Sequence, residues 1–504
     1  MQNIIKMLKK INITYLIYAL LGYFITVGTL YALAPTMLAR FETSVLMQSL
    51  VFSVNGDVYT DINAANRSTI LYGQWLFMVF GFVLKGIPPL WVIKAVKCLG
   101  VVLFLSSLWL LNKGFKKQLS PNVANSCFLV TMLLYAGYRH LSFIPKGEPF
   151  ILFGLSLFVY ALSLTSLVWM VLLASFGLAL TWGVKVHACI YAAPLLIILI
   201  KKKGWALTSL VVALSVLIGF LPFLSNALSL QNYVQFLMTI NGQDKLLKTF
   251  LINNFYGAGL FLSLIIASRL ARNKAYKLMS LDLFLIAGSL IVVSIVGSKI
   301  GSGRNHYLPF IPVFVFYIGL LKPNFADVFK AKINVKLMVF FVCVVMLFQV
   351  KNALVSQLHL VSWLGYKHVM SIDRAIEKDI IHIKNENKGL SIMMGWGPGS
   401  QYNEKAYYLR PLLFDTYPQN FLDAIALADY VRAHVDIPET TMAKIRTKPV
   451  DIILIPNEGE PFFKEGALEP LFTKAFKSVF VSHYYPATKT HYFTVWKKIV
   501  SPNV

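Results

Sequence analysis

The sequence predicts a polytopic all-α membrane domain of about eleven transmembrane helices, with interfacial helices in its first outer loop, followed by a small α/β soluble domain. Three observations predict it: the composition, the length of the apolar runs, and where lysine and arginine fall between those runs. Hydrophobic residues make up 57% of the 504 and charged residues only 14%, whereas a soluble chain is closer to half apolar and a quarter charged. Mean hydropathy is +0.65. The apolar residues gather in runs such as 15–33, 90–111 and 206–224. Each is long enough to cross a hydrocarbon core of roughly 30 Å as a helix of about 20 residues.

The net charge of +25 does not point to nucleic acid, because the cations sit in short clusters between apolar runs, as the positive-inside rule describes. Lys6, Lys9 and Lys10 form the first cluster, then Lys113, Lys116 and Lys117, then Lys201 to Lys203. Arg269, Arg272, Lys274 and Lys277 form the fourth, and Lys322, Lys330, Lys332 and Lys336 the fifth. With all five in the cytoplasm, spans are expected near 13–34, 90–111, 122–138, 148–164, 166–183, 186–200, 205–226, 254–270, 278–298, 306–322 and 335–351. The N-terminus is then cytoplasmic and the tail lies on the opposite face. The first apolar run follows a basic start, is too long for a signal-peptide core and has no small-residue cleavage site, so it reads as an uncleaved span.

The stretch 70–84 does not fit this parity. It reads as a helix lying in the interface, with Tyr72 and Trp75 at headgroup level; the alternative is a true span with a compensating error downstream. Cys98, Cys127, Cys189 and Cys343 all fall in apolar segments, so no disulfide framework or metal cluster is implied.

The domain organisation expected is therefore a transmembrane domain over 1–351, with a first outer loop near 35–89, and a soluble domain over 352–504. In the tail, 390–395, 450–456 and 491–496 read as strands, and 420–433 and 469–476 as helices. Gly395, Gly397, Pro398 and Gly399 make a sharp loop after the first strand, without the spacing of a phosphate-binding fingerprint.

Acidic residues number only 22, and ionisable groups at membrane depth usually line a cavity or pathway. The first outer loop holds Glu42, Asp57 and Asp61, with a short helix expected over 45–52; a second outer loop carries Glu148 in FIPKGEPF. Carboxylates facing one cavity suit a base that deprotonates an acceptor hydroxyl; the plainer reading is a solvated loop residue or a helix cap. The same face carries Lys94, Lys97, Lys185, Lys299 and Arg304, cations suited to a departing phosphate. For Lys185 the plainer reading is snorkelling to the headgroups. The string GSGRNHYLPFIP places Arg304, Asn305, His306 and Tyr307 at the mouth of a span, either to hold a head group or to anchor that span. His187 alone reads as an interior histidine.

Taken in order, these strings resemble the GT-C superfamily of membrane glycosyltransferases, and most closely its bacterial members related to protein mannosyltransferases and the lipid A aminoarabinose transferase. FET at 41–43, NGDVYTD at 55–61 and LYGQWLF at 71–77 stand where that family has an acidic motif, a G-x-x-Y-type string and a Y-G-P-L-type interfacial helix. Glu148 matches an acid just before a span, Lys185 a lysine opening a later span, and 305–309 an N-H-Y-L-P-type opening of a late one. Two departures stand out: Phe41 replaces the first acid of the pair, and Gln74 the usual proline.

The resemblance implies transfer of a sugar, with inversion, from a polyprenyl-phosphate donor to a lipid, glycan or protein acceptor at the outer face of a bacterial inner membrane. Catalytic residues would come from Glu42, Asp57, Asp61 and Glu148. Lys94, Lys185, Arg304 and His306 would bind the donor phosphate, and Tyr59, Tyr72 and Asn305 would contact sugar or acceptor. The resemblance fixes no cofactor, and two carboxylates and a phosphate could hold a divalent metal. The competing readings are a transporter or flippase, for which no internal repeat is found, a polysaccharide ligase or polymerase, and a non-catalytic scaffold.

Overall fold

The computed structural model describes residues 12–35, 37–138, 142–299, 304–324, 333–365, 367–396, 406–457, 460–462 and 471–500. The chain is mostly helical. It divides into two compact units, one made of Met1–Tyr31, Gly100–Leu221 and Lys245–Trp363, the other of Ala32–Leu99, Pro222–Asp244 and Leu364–Val504.

Among the described residues five apolar segments are long enough to cross a membrane: Ile13–Leu33 (α1), Pro89–Gln118 (α2, shared between the units), Leu167–Val184, Trp205–Leu224 and Leu247–Arg269. This is fewer than the eleven spans expected. The reason is local: several expected spans are shorter helices, among them Pro121–Ala136 (α3), Gly147–Ala161 (α4), Ser280–Val296 and Asn305–Leu321. Pro194 and Pro309 fall where the 3₁₀ turns Val186–Ala192 and Arg304–Tyr307 give way to α-helix, consistent with the tolerance of proline in a helix's first turn.

The tightest helix crossing is between α4 and Leu167–Val184 (α5). A Cβ on Gly154 would lie 2.5 Å from the Gly177 carbonyl oxygen, and one on Gly177 would lie 2.5 Å from that of Gly154. Such a separation admits only glycine at both positions, the small-residue rule of close helix pairs. It aligns the start of α4, which carries Glu148, with the end of α5, which is followed by Lys185.

The second unit gathers the first loop, the 222–244 stretch and the tail into one folded body. The helix Arg40–Ser53 takes in the expected 45–52 segment. Gln74–Leu84 has eleven residues, about 16 Å of helix, and packs on Arg40–Ser53, where a Cβ on Gly81 would meet the Phe52 ring at 2.4 Å. Tyr72 and Trp75 are buried.

Strands of the tail form one four-stranded mixed sheet, order β1-β2-β4-β3. Ile392–Met394 (β1) runs parallel to Ile452–Pro456 (β2), which pairs antiparallel with Phe493–Lys498 (β4), and β4 pairs antiparallel with Tyr484–Lys489 (β3). The three expected strands are present; β3 was not expected, since YYPATK carries a proline and polar residues, as edge strands do. The expected helix over 420–433 appears as Ala424–Arg432; that over 469–476 is displaced, the helix running Lys474–His483 after the Thr473 cap, and Glu439–Arg446 is a further, unexpected helix. Of the glycine-rich loop, residues 397–399 lie outside the described residues.

The first loop is hydrogen-bonded into the tail throughout. The Arg67 N–H donates to the Phe421 carbonyl (2.7 Å) and the Asp423 N–H to the Arg67 carbonyl (2.9 Å). Thr441 Oγ1 donates to the Ala65 carbonyl at 2.9 Å. The 222–244 stretch joins through Val58 N–H to the Ala227 carbonyl (3.0 Å) and Gln243 Nε2 to the Asp429 carbonyl (3.0 Å).

Candidate functional site

Among the site residues expected from sequence, buried charge marks two places. In the first unit, Glu148 sits in the first turn of α4, 2% exposed. Lys185, extended after α5, reaches its Oε1 at 2.8 Å, and Lys146, just before α4, lies 3.4 Å from Oε2. Asn305 Nδ2 is 3.5 Å from Oε1. The His187 and His306 rings stand 5.4 Å apart, and the charges of Lys185, Glu148 and Lys299 act on His187. The Nε2 of His187 is buried and has no hydrogen-bond partner among the described residues.

Thus four residues expected at a site from sequence, Glu148, Lys185, Asn305 and His306, come together, and Lys146 and His187 join them. Lys146 was legible two residues before Glu148 in the same string. The histidine pairing was not, since the two rings come from separate 3₁₀ turns. The Arg304 side chain lies outside the described residues.

Next along the chain, Tyr307 leaves this cluster for an apolar cavity of about 380 Å³. Leu134, Tyr256, Phe314, Val345 and Gln349 help line it. The Tyr307 hydroxyl is hydrogen-bonded to Ser294. Close packing around it again depends on glycine: a Cβ on Gly257 would lie 2.9 Å from the Tyr307 hydroxyl.

In the second unit Glu42 is fully buried in the first turn of its helix, where Oε1 accepts the Leu38 N–H at 3.0 Å. This bond ties the segment just before the helix back to its first turn. Lys97, also fully buried, donates to the Ala34 carbonyl at 2.7 Å, and the charges of Glu42 and Asp373 act on it. Lys94 is half-buried with its ammonium 4.6 Å from the Trp91 ring centroid. Asp57 and Asp61 are exposed, and Asp61 accepts the Asn63 N–H at 2.7 Å.

Tyr59 is buried. Its hydroxyl donates to the Tyr72 carbonyl at 2.8 Å, and its ring lies 4.7 Å from that of Tyr233. Burial, with the neighbouring Tyr233, raises this phenol well above its ordinary range, so it stays neutral. Tyr59 and Tyr72 are thus joined within the core of the second unit.

Among the described residues no group of three or more His, Cys, Asp or Glu side chains is placed to hold a metal ion. No protein-family model matches the chain, and no curated protein is detectably similar to it.

Proposed function

We propose that this protein is a multi-pass membrane glycosyltransferase, taking a sugar from a polyprenyl-phosphate donor and passing it, with inversion, to a lipid, glycan or protein acceptor. The observation that carries the reading is the succession Asn305, His306, Tyr307: the first two stand at the Lys146–Glu148–Lys185 cluster, and the third lines the apolar cavity. A lipid phosphate needs cations for its head and an apolar slot for its chain, side by side.

The fold of the second unit supports the eleven-span topology. Segments that hydrogen-bond to each other in one body lie on one side of a membrane, so an even number of crossings must separate them. Between the first loop and 222–244 the eleven-span reading has six crossings, and between 222–244 and the tail it has four, both even. The five long helices alone would give three and one. The apolar faces agree: only 28% of the apolar window of Trp205–Leu224 is buried, a surface that suits lipid. On this reading the N-terminus is cytoplasmic, and the second unit lies outside the inner membrane of a bacterium.

In the proposed step an outer-loop carboxylate takes the proton of the acceptor hydroxyl, the acceptor oxygen attacks the anomeric carbon, and the bond to phosphate oxygen breaks with its electron pair. Lys185 and Lys146 stabilise the departing phosphate.

The test is transfer from labelled polyprenyl-phosphate sugars by the full-length protein in nanodiscs. Glu42→Gln is expected to lose about 10²–10⁴-fold in rate, and Lys185→Met about 10²–10³-fold. If the wild type consumes no donor, or both variants match it, the reading fails.

A further inference from the structure

The apolar cavity of the first unit has one polar group out of keeping with its walls. Gln349, on the long helix Ile333–Gly365 (α6), lines the cavity and is 6% exposed. Its Oε1 is buried and makes no hydrogen bond among the described residues. A carbonyl oxygen left without a donor in apolar surroundings is unfavourable. Other polar groups on the wall are occupied: the Tyr307 hydroxyl bonds Ser294, and Ser263 Oγ donates to the Leu260 carbonyl at 2.6 Å.

The cavity has the size and the opening for a lipid chain. Its volume of about 380 Å³ is more than twice the roughly 150 Å³ that takes a benzene ring in an engineered protein interior, which leaves room for about fifteen non-hydrogen atoms. The stretch of α6 along its wall, Val339 to Gln349, rises about 15 Å. Val130 and Met346, 38% and 37% exposed, and the exposed Cys343 also line it, so the cavity reaches the outer surface of the helices between α3 and α6. On the multi-pass reading that surface meets lipid, and a chain enters sideways from the bilayer.

The head of that lipid is limited by what it would meet. Among the described residues no Lys, Arg, His, Asp or Glu lines the cavity, so an ionised head drawn inside would stay uncompensated. The Gln349 amide offers an acceptor and, turned by half a turn, a donor. A hydroxyl both donates and accepts, and so suits either orientation. An ester carbonyl only accepts and would leave Oε1 as it is.

We propose that the cavity is a binding site for a neutral, single-chain lipid whose head is a hydroxyl, with the chain against the apolar wall and the hydroxyl on the Gln349 amide. This goes beyond the donor-lipid reading, which uses the apolar wall and has no part for Gln349.

The experiment uses the full-length protein in nanodiscs and a hexadecanol with a photoreactive diazirine in its chain, the crosslinked residues being mapped by mass spectrometry. Crosslinks are expected on the wall, at Leu260, Cys343 and Met346. At equal mole fraction in the bilayer, hexadecanol is expected to displace the probe about fivefold better than hexadecane or hexadecyl phosphate. Gln349→Leu, similar in size and without the unpaired amide, is expected to melt no lower than wild type and to bring hexadecanol and hexadecane to parity; Gln349→Met serves if the leucine variant does not fold.

Absence of wall crosslinks, equal displacement by hexadecane in the wild type, or a preference for hexadecanol that survives the loss of Gln349 overturns the inference. Stronger displacement by hexadecyl phosphate also overturns it and leaves the cavity to the donor's chain. A wild type that binds hexadecanol as expected yet transfers no sugar keeps the inference and loses the transferase reading.

Discussion

Both units bury ion pairs, but the pairs differ in kind. In the second unit Arg410 and Asp423 form a salt bridge at 5% and 0% side-chain exposure, and the acid is fully used. Its Oδ1 accepts from Ser44 Oγ at 2.9 Å and from the Ile425 and Ala426 N–H groups at 2.8 and 3.2 Å, while Oδ2 takes the Arg410 guanidinium. Burial pulls Arg410 below its ordinary value and Asp423 opposes that pull. One cation meets one anion, and both oxygens of the anion are used, while the Arg410 Nε makes no hydrogen bond among the described residues. In the first unit two cations meet one anion, and one of its oxygens makes no hydrogen bond among the described residues. A carboxylate that uses both oxygens is an architectural joint, whereas one with an oxygen to spare leaves room for another donor.

The sharpest way to break this comparison is to remove the anion from the saturated pair. Asp423→Ala strands a buried guanidinium, uncaps the helix Ala424–Arg432 and unhooks Ser44 of the first loop. The expected loss is about 3–5 kcal/mol, enough to open the body formed by the first loop and the tail. Limited proteolysis between 34 and 72 reads this directly. Asp423→Ala with unchanged protection would mean that the pair is not a joint, and the distinction drawn here would go with it.

The same contrast explains what was legible in the sequence. Glu148 and Lys185 stand out because an acid and a base are rare in apolar segments, and rarity needs no structure to be seen. Their pairing depends on the Gly154–Gly177 crossing, where backbones approach to a distance that no residue pattern announces on its own. Asp423 falls inside the helix expected over 420–433 and Ser44 just before that expected over 45–52, 379 residues apart, and neither carries a signal of the other. Long-range joints of this type are invisible in sequence because each half is chemically ordinary. The strands β1, β2 and β4 were readable from their aliphatic and aromatic runs. The edge strand β3 was not, because what makes a good edge, polar residues and a proline, is also what makes a loop.

A second test separates a packed tyrosine from a ligand-binding one. Tyr59→Phe removes the hydrogen bond to the Tyr72 carbonyl but keeps the ring against Tyr233 and Phe77. The expected cost is about 1 kcal/mol, seen as a lower melting temperature with transfer kinetics unaltered. A selective rise in KM at unchanged melting temperature would instead return Tyr59 to the sugar-contacting role its motif suggested.

The smallest effect belongs to the exposed end of the same unit. Asp451 accepts from the Ser391 N–H and Oγ, both at 2.8 Å, and pairs with Lys498, tying the start of β1 to the end of β4. Burial alone would raise its carboxyl, but Lys498 and Ser391 hold it below its ordinary value of 3.8. A carboxyl depressed in the folded state contributes stability above about pH 4, which is lost as pH falls through the folded value. Because the pair is open to solvent, screening keeps the contribution small, and a shift of no more than about 2 °C is expected. Thermal melts of wild type and Asp451→Asn should therefore differ slightly at neutral pH and converge in acid. A gap that stays constant across that range would assign the effect to the uncharged hydrogen bonds from Ser391, and would place this joint with the saturated pairs, which work by geometry, and not with those that work by charge.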